Sequence, residues 1–250
     1  MEGSDSAETE TADTLMTTVS HHHFGDEMDE PAFSISIIEN MKEDYGLFVW
    51  PCSVVLAEYV WQQRLRFSGA GVVEVLGAGT SLPGLVAVKV GADVTLTDDS
   101  SRLEVLDNMK RVLDLNKLEC NFCFQVLGLT WGVWDASTFS LHPKFILGAD
   151  VLYDASAFDD LFATVTFLLQ CSPGSVFITT YHNRRKHFVC IMCSGHHLIE
   201  FLMVKWGLKC VKLLDAFSFM PSHKASGLSG NLQLAEIVLD SQRAEIPVLH

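Results

Sequence analysis

The sequence predicts an α/β fold, in which a mostly parallel seven-stranded sheet carries helices on both faces. Two observations support this prediction. Apolar, β-branched runs of about five residues alternate with longer helical patterns along most of the chain, as parallel strands and their crossover helices do. The last two strands are joined by a Ser/Gly/His-rich loop at 222–230 with no helical pattern, so they are expected to pair as an antiparallel hairpin.

The individual elements follow from local patterns. Ile35, Ile37 and Ile38 predict a short strand, and an aromatic-rich turn precedes a helix that opens at Pro51, because proline fits the first turn of a helix. Gly91 predicts the end of the helix that follows the first sheet strand. The sheet strands are predicted at 72–76, 93–97, 122–127, 145–149, 175–180, 209–214 and 232–239, and the later helices at 82–90, 101–115, 156–170 and 195–206.

The N-terminal segment differs in composition from the rest. Residues 1–31 are rich in Ser, Thr, Asp and Glu and are expected to form a disordered acidic tail, whereas residues 32–250 form the folded domain. Ten acidic residues and no Lys or Arg precede Lys42, so −10 of the net charge of −14 lies there and the remainder carries −4. An acidic tail can attract a basic protein such as a histone, although a solvated leader is the simpler interpretation.

Composition also argues against several classes of protein. With 17 Lys and Arg in 250 residues, direct nucleic-acid binding is not expected. No apolar run approaches 18 residues and no basic-then-apolar start is present, so neither a membrane span nor a secretory signal is expected. The odd number of cysteines, seven, fits reduced thiols. We therefore expect the protein in the nucleus and cytoplasm.

The run from Glu74 to Gly84 (EVLGAGTSLPG) predicts a nucleotide-type cofactor site. Gly77 and Gly79 follow an apolar strand, and a helix begins close to Leu82. Glycine lets a ligand approach bare backbone, and the helix N-terminus adds unpaired N–H groups. A dinucleotide fingerprint would place its third glycine at Leu82, which weakens the dinucleotide interpretation.

Two further residues point to an adenosine ligand. Asp98 ends the second sheet strand, about twenty residues after the glycines, where an acidic side chain accepts hydrogen bonds from ribose hydroxyls. NAD and S-adenosyl-L-methionine share this ribose, so Asp98 alone does not choose between them. Trp131 follows the third strand, where an indole can pack on adenine, although a lone Trp is more often part of the core.

Four motifs in register resemble the seven-β-strand protein methyltransferases known as methyltransferase family 16. The resemblance covers about residues 33–240 and implies a Rossmann-like class I methyltransferase fold with S-adenosyl-L-methionine as cofactor. Thr180-Tyr181 and Lys205-Trp206 add to it. The four motifs are Val49–Pro51 (VWP), Gly77–Gly84 (GAGTSLPG), Leu129–Gly132 (LTWG) and Asp150–Tyr153 (DVLY).

The resemblance implies a role for each site residue. Gly77 and Gly79 form the floor under the methionine part of the cofactor, and Asp98 holds the ribose. Trp131 lines the adenine pocket, where relatives often carry an acidic residue at the place of Thr130.

The same resemblance assigns the remaining positions. Trp50 covers the cofactor, and Glu74 is the acidic residue of the glycine turn. Asp150 and Tyr153 match the Asp-x-x-Tyr motif beside the transferred methyl group, so they are the expected catalytic residues. Asp150 also contacts the cofactor, and Asp154 lies near enough in sequence to help hold a charged substrate.

The implied activity is S-adenosyl-L-methionine-dependent protein N-methylation. The most similar branch of the family favours arginine on histone H3 as the substrate, whereas the wider family favours lysine on non-histone proteins. A catalytically weak interaction module with this fold is the alternative from another class. A small-molecule methyltransferase or a nicotinamide enzyme is a third interpretation.

Two features depart from the family pattern. Glu74 stands three residues before Gly77, where relatives place the acidic residue two before. A β-bulge could absorb the extra residue. If it does not, Glu74 points away from the cofactor, Val75 takes the acidic place, and cofactor binding is expected to be weaker than in a version lacking Val75. The chain also carries two Cys-x-x-Cys pairs, 120/123 and 190/193, the second within a segment at 185–193 that departs from the family pattern. Two such pairs can form a tetrahedral zinc site, but the first lies at a strand entrance and the second in this inserted segment, so no metal site is predicted.

Overall fold

The computed structural model describes residues 17–25, 32–40, 46–74, 77–118, 124–182 and 193–240. The strands are β1 (Thr17–Phe24), β2 (Phe33–Asn40), β3 (Gly71–Glu74), β4 (Asp93–Asp98), β5 (Phe124–Gly128), β6 (Phe145–Ala149), β7 (Val176–His182), β8 (Leu208–Asp215) and β9 (Leu232–Leu239). The α-helices are α1 (Pro51–Gln62), α2 (Arg64–Phe67), α3 (Leu82–Lys89), α4 (Leu103–Leu115), α5 (Ala136–Phe139), α6 (Phe158–Cys171), α7 (Cys193–Lys205) and α8 (Ser222–Ala225).

Seven of the strands form one sheet in the order β5-β4-β3-β6-β7-β9-β8. The pairs β5-β4, β4-β3, β3-β6 and β6-β7 are parallel, and β9 runs antiparallel to both β7 and β8. The predicted fold class is therefore confirmed, including the C-terminal hairpin, although the loop at 222–230 contains the short helix α8 where the sequence predicts none. The carboxyl ends of β3, β4, β5 and β6 lie at one edge, which is where ligands bind in open α/β sheets.

The sheet is covered on both faces. One apolar cluster includes buried residues of α1, α3 and α4, and a second includes those of α6 together with Leu202 of α7. Helix α4 shows how the sequence produces this packing. Its buried side chains recur at the three-to-four-residue spacing of one helix face, so the opposite face is left to solvent: they include Val105, Met109, Val112 and Leu113.

An N-terminal hairpin corrects the expected tail. Thr17–Phe24 pairs antiparallel with Phe33–Asn40, so the expectation of disorder across 1–31 is wrong for β1. Strand β2 is anchored by Ile35 and Ile37, both fully buried, and by Asn116, whose side-chain amide bonds both backbone groups of Ser36 at 2.7 and 2.9 Å. Because β2 is anchored, its edge offers backbone N–H and C=O groups with which β1 can pair. The acidic composition of the segment does not reveal this pairing.

Other predictions can be compared with the structure only where they concern the described residues. No helix among these residues is long and apolar enough to cross a membrane. Cys120, Cys123 and Cys190 lie outside the described residues, as do Val75 and the rest of the tail at 1–16 and 26–31.

Candidate active site

A cavity of about 560 Å³ lies at the carboxyl ends of the central strands. It brings together residues from the loops after β3, β4, β5 and β6 and from the segment before α1. Six of the predicted site residues line it: Trp50, Gly77, Asp98, Trp131, Asp150 and Tyr153. The other lining residues are Gly46, Asp99, Arg102, Thr130, Ala149, Val151, Ala157 and Asp160.

The glycine turn needs its glycines for two different reasons. Gly77 has a φ of 85° and Gly79 a φ of 48°, in the left-handed region where side chains are strained. A Cβ at position 79 would lie 2.9 Å from the carbonyl oxygen of Gly46, so the turn packs directly on backbone. At position 77 a Cβ would meet only one atom, 4.0 Å away, so Gly77 leaves open space beside the cavity.

Asp98 connects this turn to the cavity. Its Oδ2 accepts a hydrogen bond from the Gly79 N–H at 3.1 Å, and its Oδ1 accepts one from the Asp99 N–H at 2.9 Å. The residue is only 5% exposed. Burial raises the pKa of this carboxyl, and the two backbone donors oppose that rise.

Glu74 does not reach the cavity, which corrects its expected contact with the cofactor. The side chain is 1% exposed and lies under α3, where Oε2 accepts the Gly84 N–H at 2.9 Å and Oε1 has no partner among the described residues. Burial raises the pKa of Glu74 to about 8, with a smaller contribution from the nearby charge of Asp98. The side chain therefore supports the glycine turn from below.

Gly84 allows α3 to pack closely on the sheet, which is the role of the third glycine in a dinucleotide fingerprint. A Cβ there would lie 2.3 Å from Leu96 Cδ2 and 2.5 Å from Glu74 Oε2, so α3 approaches the sheet closely only because position 84 has no side chain. Ser81, just before α3, has a φ of 60° and a buried hydroxyl without a partner in the described part of the chain. Such a residue is strained at this position.

The turn after β5 contains Trp131 and Gly132. The Trp131 side chain lines the cavity, and its Nε1 is buried without a hydrogen-bond partner among the residues described. Gly132 has a φ of 69°, and its N–H donates to Thr164 Oγ1 on α6 at 3.0 Å. The preceding Thr130 hydroxyl donates to Asp99 Oδ1 at 3.0 Å.

The segment after β6 carries the expected catalytic pair. Asp150 has a φ of 55°, and its N–H donates to the Thr180 carbonyl at 2.8 Å, which positions the residue at the mouth of the strand. Tyr153 is 56% exposed at the cavity edge. Asp154 does not line the cavity, because its Oδ1 accepts from the N–H and hydroxyl of Ser156 at 2.9 and 2.7 Å.

Trp50 enters from the segment before α1. Its ring packs edge-on against Phe48 at 5.5 Å between centroids. The start of α1 is held to the sheet by the Thr180 hydroxyl, which donates to the Cys52 carbonyl at 2.8 Å. Thr180 therefore links the position of Trp50 to that of Asp150.

These motifs and their geometry agree with comparisons to known proteins. The profile of methyltransferase family 16, described as lysine methyltransferase, matches residues 29–192. The histone-arginine methyltransferase METTL23 of Xenopus laevis is 39% identical over 186 residues, covering 74% of each chain. The human METTL23 is 37% identical, covering 68% of this chain and 84% of the relative.

The chain belongs to methyltransferase family 16. Within this family, the four motifs most resemble methyltransferase-like protein 23 in a plant-type version. The two METTL23 relatives confirm the similarity to that protein, and the plant-type assignment stays a prediction. The protein N-lysine methyltransferase METTL21A of Xenopus tropicalis is 35% identical, covering 60% of this chain and 68% of the relative. The crystal structure of the glycopeptide N-methyltransferase MtfA with sinefungin shares the fold, with a TM-score of 0.50 at 13% identity over 75% of this chain and 86% of that one.

The charged residues that line the cavity are mostly acidic. Four aspartates line it, Asp98, Asp99, Asp150 and Asp160, against one cationic side chain, Arg102. Asp98 and Asp99 accept hydrogen bonds, whereas the carboxylates of Asp150 and Asp160 accept none from the described residues. Carboxylates that keep their acceptor capacity at one cavity favour ligands that donate hydrogen bonds, cationic ones among them.

Asp160 is a cavity residue that the sequence does not single out. Two adjacent aspartates, Asp159 and Asp160, at the start of α6 are typical of helix N-terminal charge, and the structure separates them. Asp159 Oδ1 accepts from Lys205 Nζ at 2.7 Å and from Trp206 Nε1 at 2.8 Å, on the side of α7. Asp160 faces the cavity instead. Consecutive helix positions point about 100° apart, and only the packing of α6 shows which of them meets the cavity.

Proposed function

We propose that this protein transfers a methyl group from S-adenosyl-L-methionine to an arginine side chain of histone H3. The observation that carries the proposal is the single cavity in which a glycine turn, Asp98 and Trp131 meet Asp150 and Tyr153. The first group suits a nucleoside cofactor and the second suits a reacting cation. The similarity to the histone-arginine methyltransferase METTL23 supports arginine and a histone substrate.

The residues present fit S-adenosyl-L-methionine. Gly77 leaves open space at the cavity that a side chain would fill, and Gly79 packs on backbone and donates its N–H to Asp98. Asp98 is a buried acceptor at the place for ribose hydroxyls. Trp131 offers an apolar ring beyond it. When bound, the cofactor supplies an electrophilic methyl group on a sulfonium.

The chain's own residues then position the substrate. The Asp150 carboxylate has no competing hydrogen bond from the described residues, so it can accept from two N–H groups of a guanidinium fork. Methylation leaves one surplus proton on the substrate nitrogen, which Asp150 can accept and pass to water. The Tyr153 hydroxyl, at the exposed edge, orients the approaching side chain. Most of the rate enhancement expected here comes from such positioning.

Two variants test these roles. Asp150→Asn keeps a residue type that tolerates a φ of 55°, so backbone strain is not added. Labelled methyl transfer into recombinant histone H3 is expected to fall about a hundredfold or more. Tyr153→Phe should lower kcat about tenfold with little change in stability, because the side chain is exposed. Asp154→Asn, outside the cavity, is the matched control and should retain activity.

Acid hydrolysis of the labelled histone identifies the acceptor. Methylarginine is the expected product, and methyllysine would instead favour the lysine alternative, which the family description and the likeness to METTL21A support. Cofactor binding without transfer to any histone or protein-extract band would favour the interaction module. We also propose a location in the nucleus and cytoplasm, which a histone substrate and reduced cysteines support. Imaging of the tagged full chain tests this.

A further inference from the structure

Asp160 lies against the turn after β5. A Cβ at Gly132 would be 2.7 Å from Asp160 Oδ1 and 2.9 Å from its Cγ, so the carboxylate rests on the glycine backbone. The Gly132 N–H donates to Thr164 Oγ1, one helical turn further along α6, which clamps the turn to this helix. A side chain at position 132 would displace the Asp160 carboxylate, and the φ of 69° there favours glycine in its own right.

This contact places Asp160 at one end of the cavity. In the sheet, β4 lies between β3 and β5, so the Asp98 end of β4 separates the glycine turn from the turn after β5. A nucleoside whose ribose meets Asp98 directs its base toward Trp131 and Gly132, away from Gly77. Asp160 is thus close to the base, while Asp150 and Tyr153, after β6, are on the other side of the glycine turn.

The acceptors at this end differ in what they have left to offer. Asp99 Oδ1 already accepts from the Ser101 N–H at 2.9 Å, the Ser101 hydroxyl at 3.0 Å and the Thr130 hydroxyl at 3.0 Å. The Thr130 hydroxyl is also 2.7 Å from the Ser100 hydroxyl. The Asp160 carboxylate accepts no hydrogen bond from the described residues. Beside the turn that contains Trp131, Asp160 is therefore the carboxylate whose two oxygens both remain available to accept hydrogen bonds from a ligand.

We infer that the Asp160 carboxylate accepts a hydrogen bond from the exocyclic amine of the cofactor's adenine and selects adenine over a 6-oxopurine. An ionised carboxylate only accepts, and the amine is the donor on that edge of the base. A 6-oxopurine presents an oxygen at the same place, which the carboxylate repels. The inference rests on S-adenosyl-L-methionine being the cofactor, as proposed above.

Binding measurements on the full chain test the inference without relying on turnover. Titration calorimetry compares S-adenosylhomocysteine with its 6-oxo analogue, S-inosylhomocysteine. The unmodified protein is expected to prefer the adenine compound by roughly tenfold or more. In Asp160→Asn this preference should shrink to roughly threefold or less, because an amide can donate to the 6-oxo group as well as accept from the amine.

Asp159→Asn is the matched control, with the same chemical change one residue away on the side of α7, and it should keep the full preference. An unchanged preference in Asp160→Asn overturns the adenine assignment, and a raised KM for the histone in that variant would assign Asp160 to the substrate cation instead. If the unmodified protein binds neither compound, the proposed function itself fails. Circular dichroism confirms that each variant is folded.

Discussion

Replacing Glu74 by glutamine should flatten the dependence of this protein's stability on pH. The carboxyl is buried under α3, and its pKa is raised from 4.5 to about 8. The folded state therefore keeps a proton that the unfolded chain releases near pH 4.5. The resulting stability is fully present below pH 4.5 and is lost as pH rises toward 8.

The size of the effect follows from the shift. Between the two pKa values the free energy of unfolding falls by about 1.4 kcal/mol per pH unit, and the fall lessens near pH 8 where the folded state also titrates. From pH 6 to pH 8 the contribution of Glu74 thus falls by about 2 kcal/mol. Glutamine does not titrate, although its amide N–H groups find no acceptor at the place of Oε1 and cost about 1–3 kcal/mol at every pH.

Urea unfolding at pH 6, 7 and 8 measures this difference. The unmodified protein should lose about 2 kcal/mol relative to Glu74→Gln over that range. Glu104→Gln is the matched control, because Glu104 is solvent-exposed with a pKa below its usual value and stays ionised from pH 6 to 8. The free energy of unfolding of Glu104→Gln should change with pH in parallel with that of the unmodified protein. If Glu74→Gln also runs parallel to the unmodified protein, a neutral, buried Glu74 is refuted.

Three further predictions concern the turn itself. Ser81→Gly relieves a left-handed φ of 60° and removes a buried hydroxyl, so the free energy of unfolding should rise by about 1 kcal/mol in urea titrations; a fall would contradict the strain. Gly79→Ala drives a Cβ to 2.9 Å from a carbonyl oxygen and should weaken S-adenosylhomocysteine binding at least roughly tenfold by calorimetry. Gly174→Ala, with a φ of 82° but open space around it, should lose stability and keep that affinity, and equal losses in both variants would argue against a specific role for the turn. Deleting Val75 restores the family spacing and should tighten cofactor binding severalfold, whereas equal affinity would show that the extra residue is tolerated.

Local patterns predicted most of the fold. Strand β6 at Phe145–Ala149 and strand β9 at Leu232–Leu239 match their predicted spans. Each is a short apolar run bounded by turn residues, so a few neighbouring positions are enough to predict it. Helix α7 begins at Cys193, two residues before its predicted start, within the ordinary variation of helix ends. Strand β1 was missed because the acidic composition around it predicted disorder. Its partner β2 begins nine residues after β1 ends, but the residue that anchors β2 at Ser36, Asn116, lies 80 residues away in sequence.

In the candidate site, too, local patterns predicted some residues and tertiary packing placed others. Five of the six predicted residues that line the cavity lie at or after the end of a strand at the same sheet edge, and parallel strands bring such ends together. The sixth, Trp50, enters from the segment before α1. The direction of Glu74 depends on the pairing register around one extra residue, which spacing alone leaves open. The place of Asp160 depends on how α6 packs on a turn about thirty residues earlier, at Gly132.

The sequence by itself therefore determined the fold class, the glycine turn and the identity of the residues at the strand ends, since each depends on short-range periodicity and on glycine's freedom at positive φ. Only the tertiary structure decided that Glu74 supports the turn from the core and that Asp160 joins the cavity. The physical reason is that a side chain's surroundings are set by elements distant in sequence. A shift of one residue in strand register, or of one position along a helix, moves a side chain from the cavity to the core or to the surface.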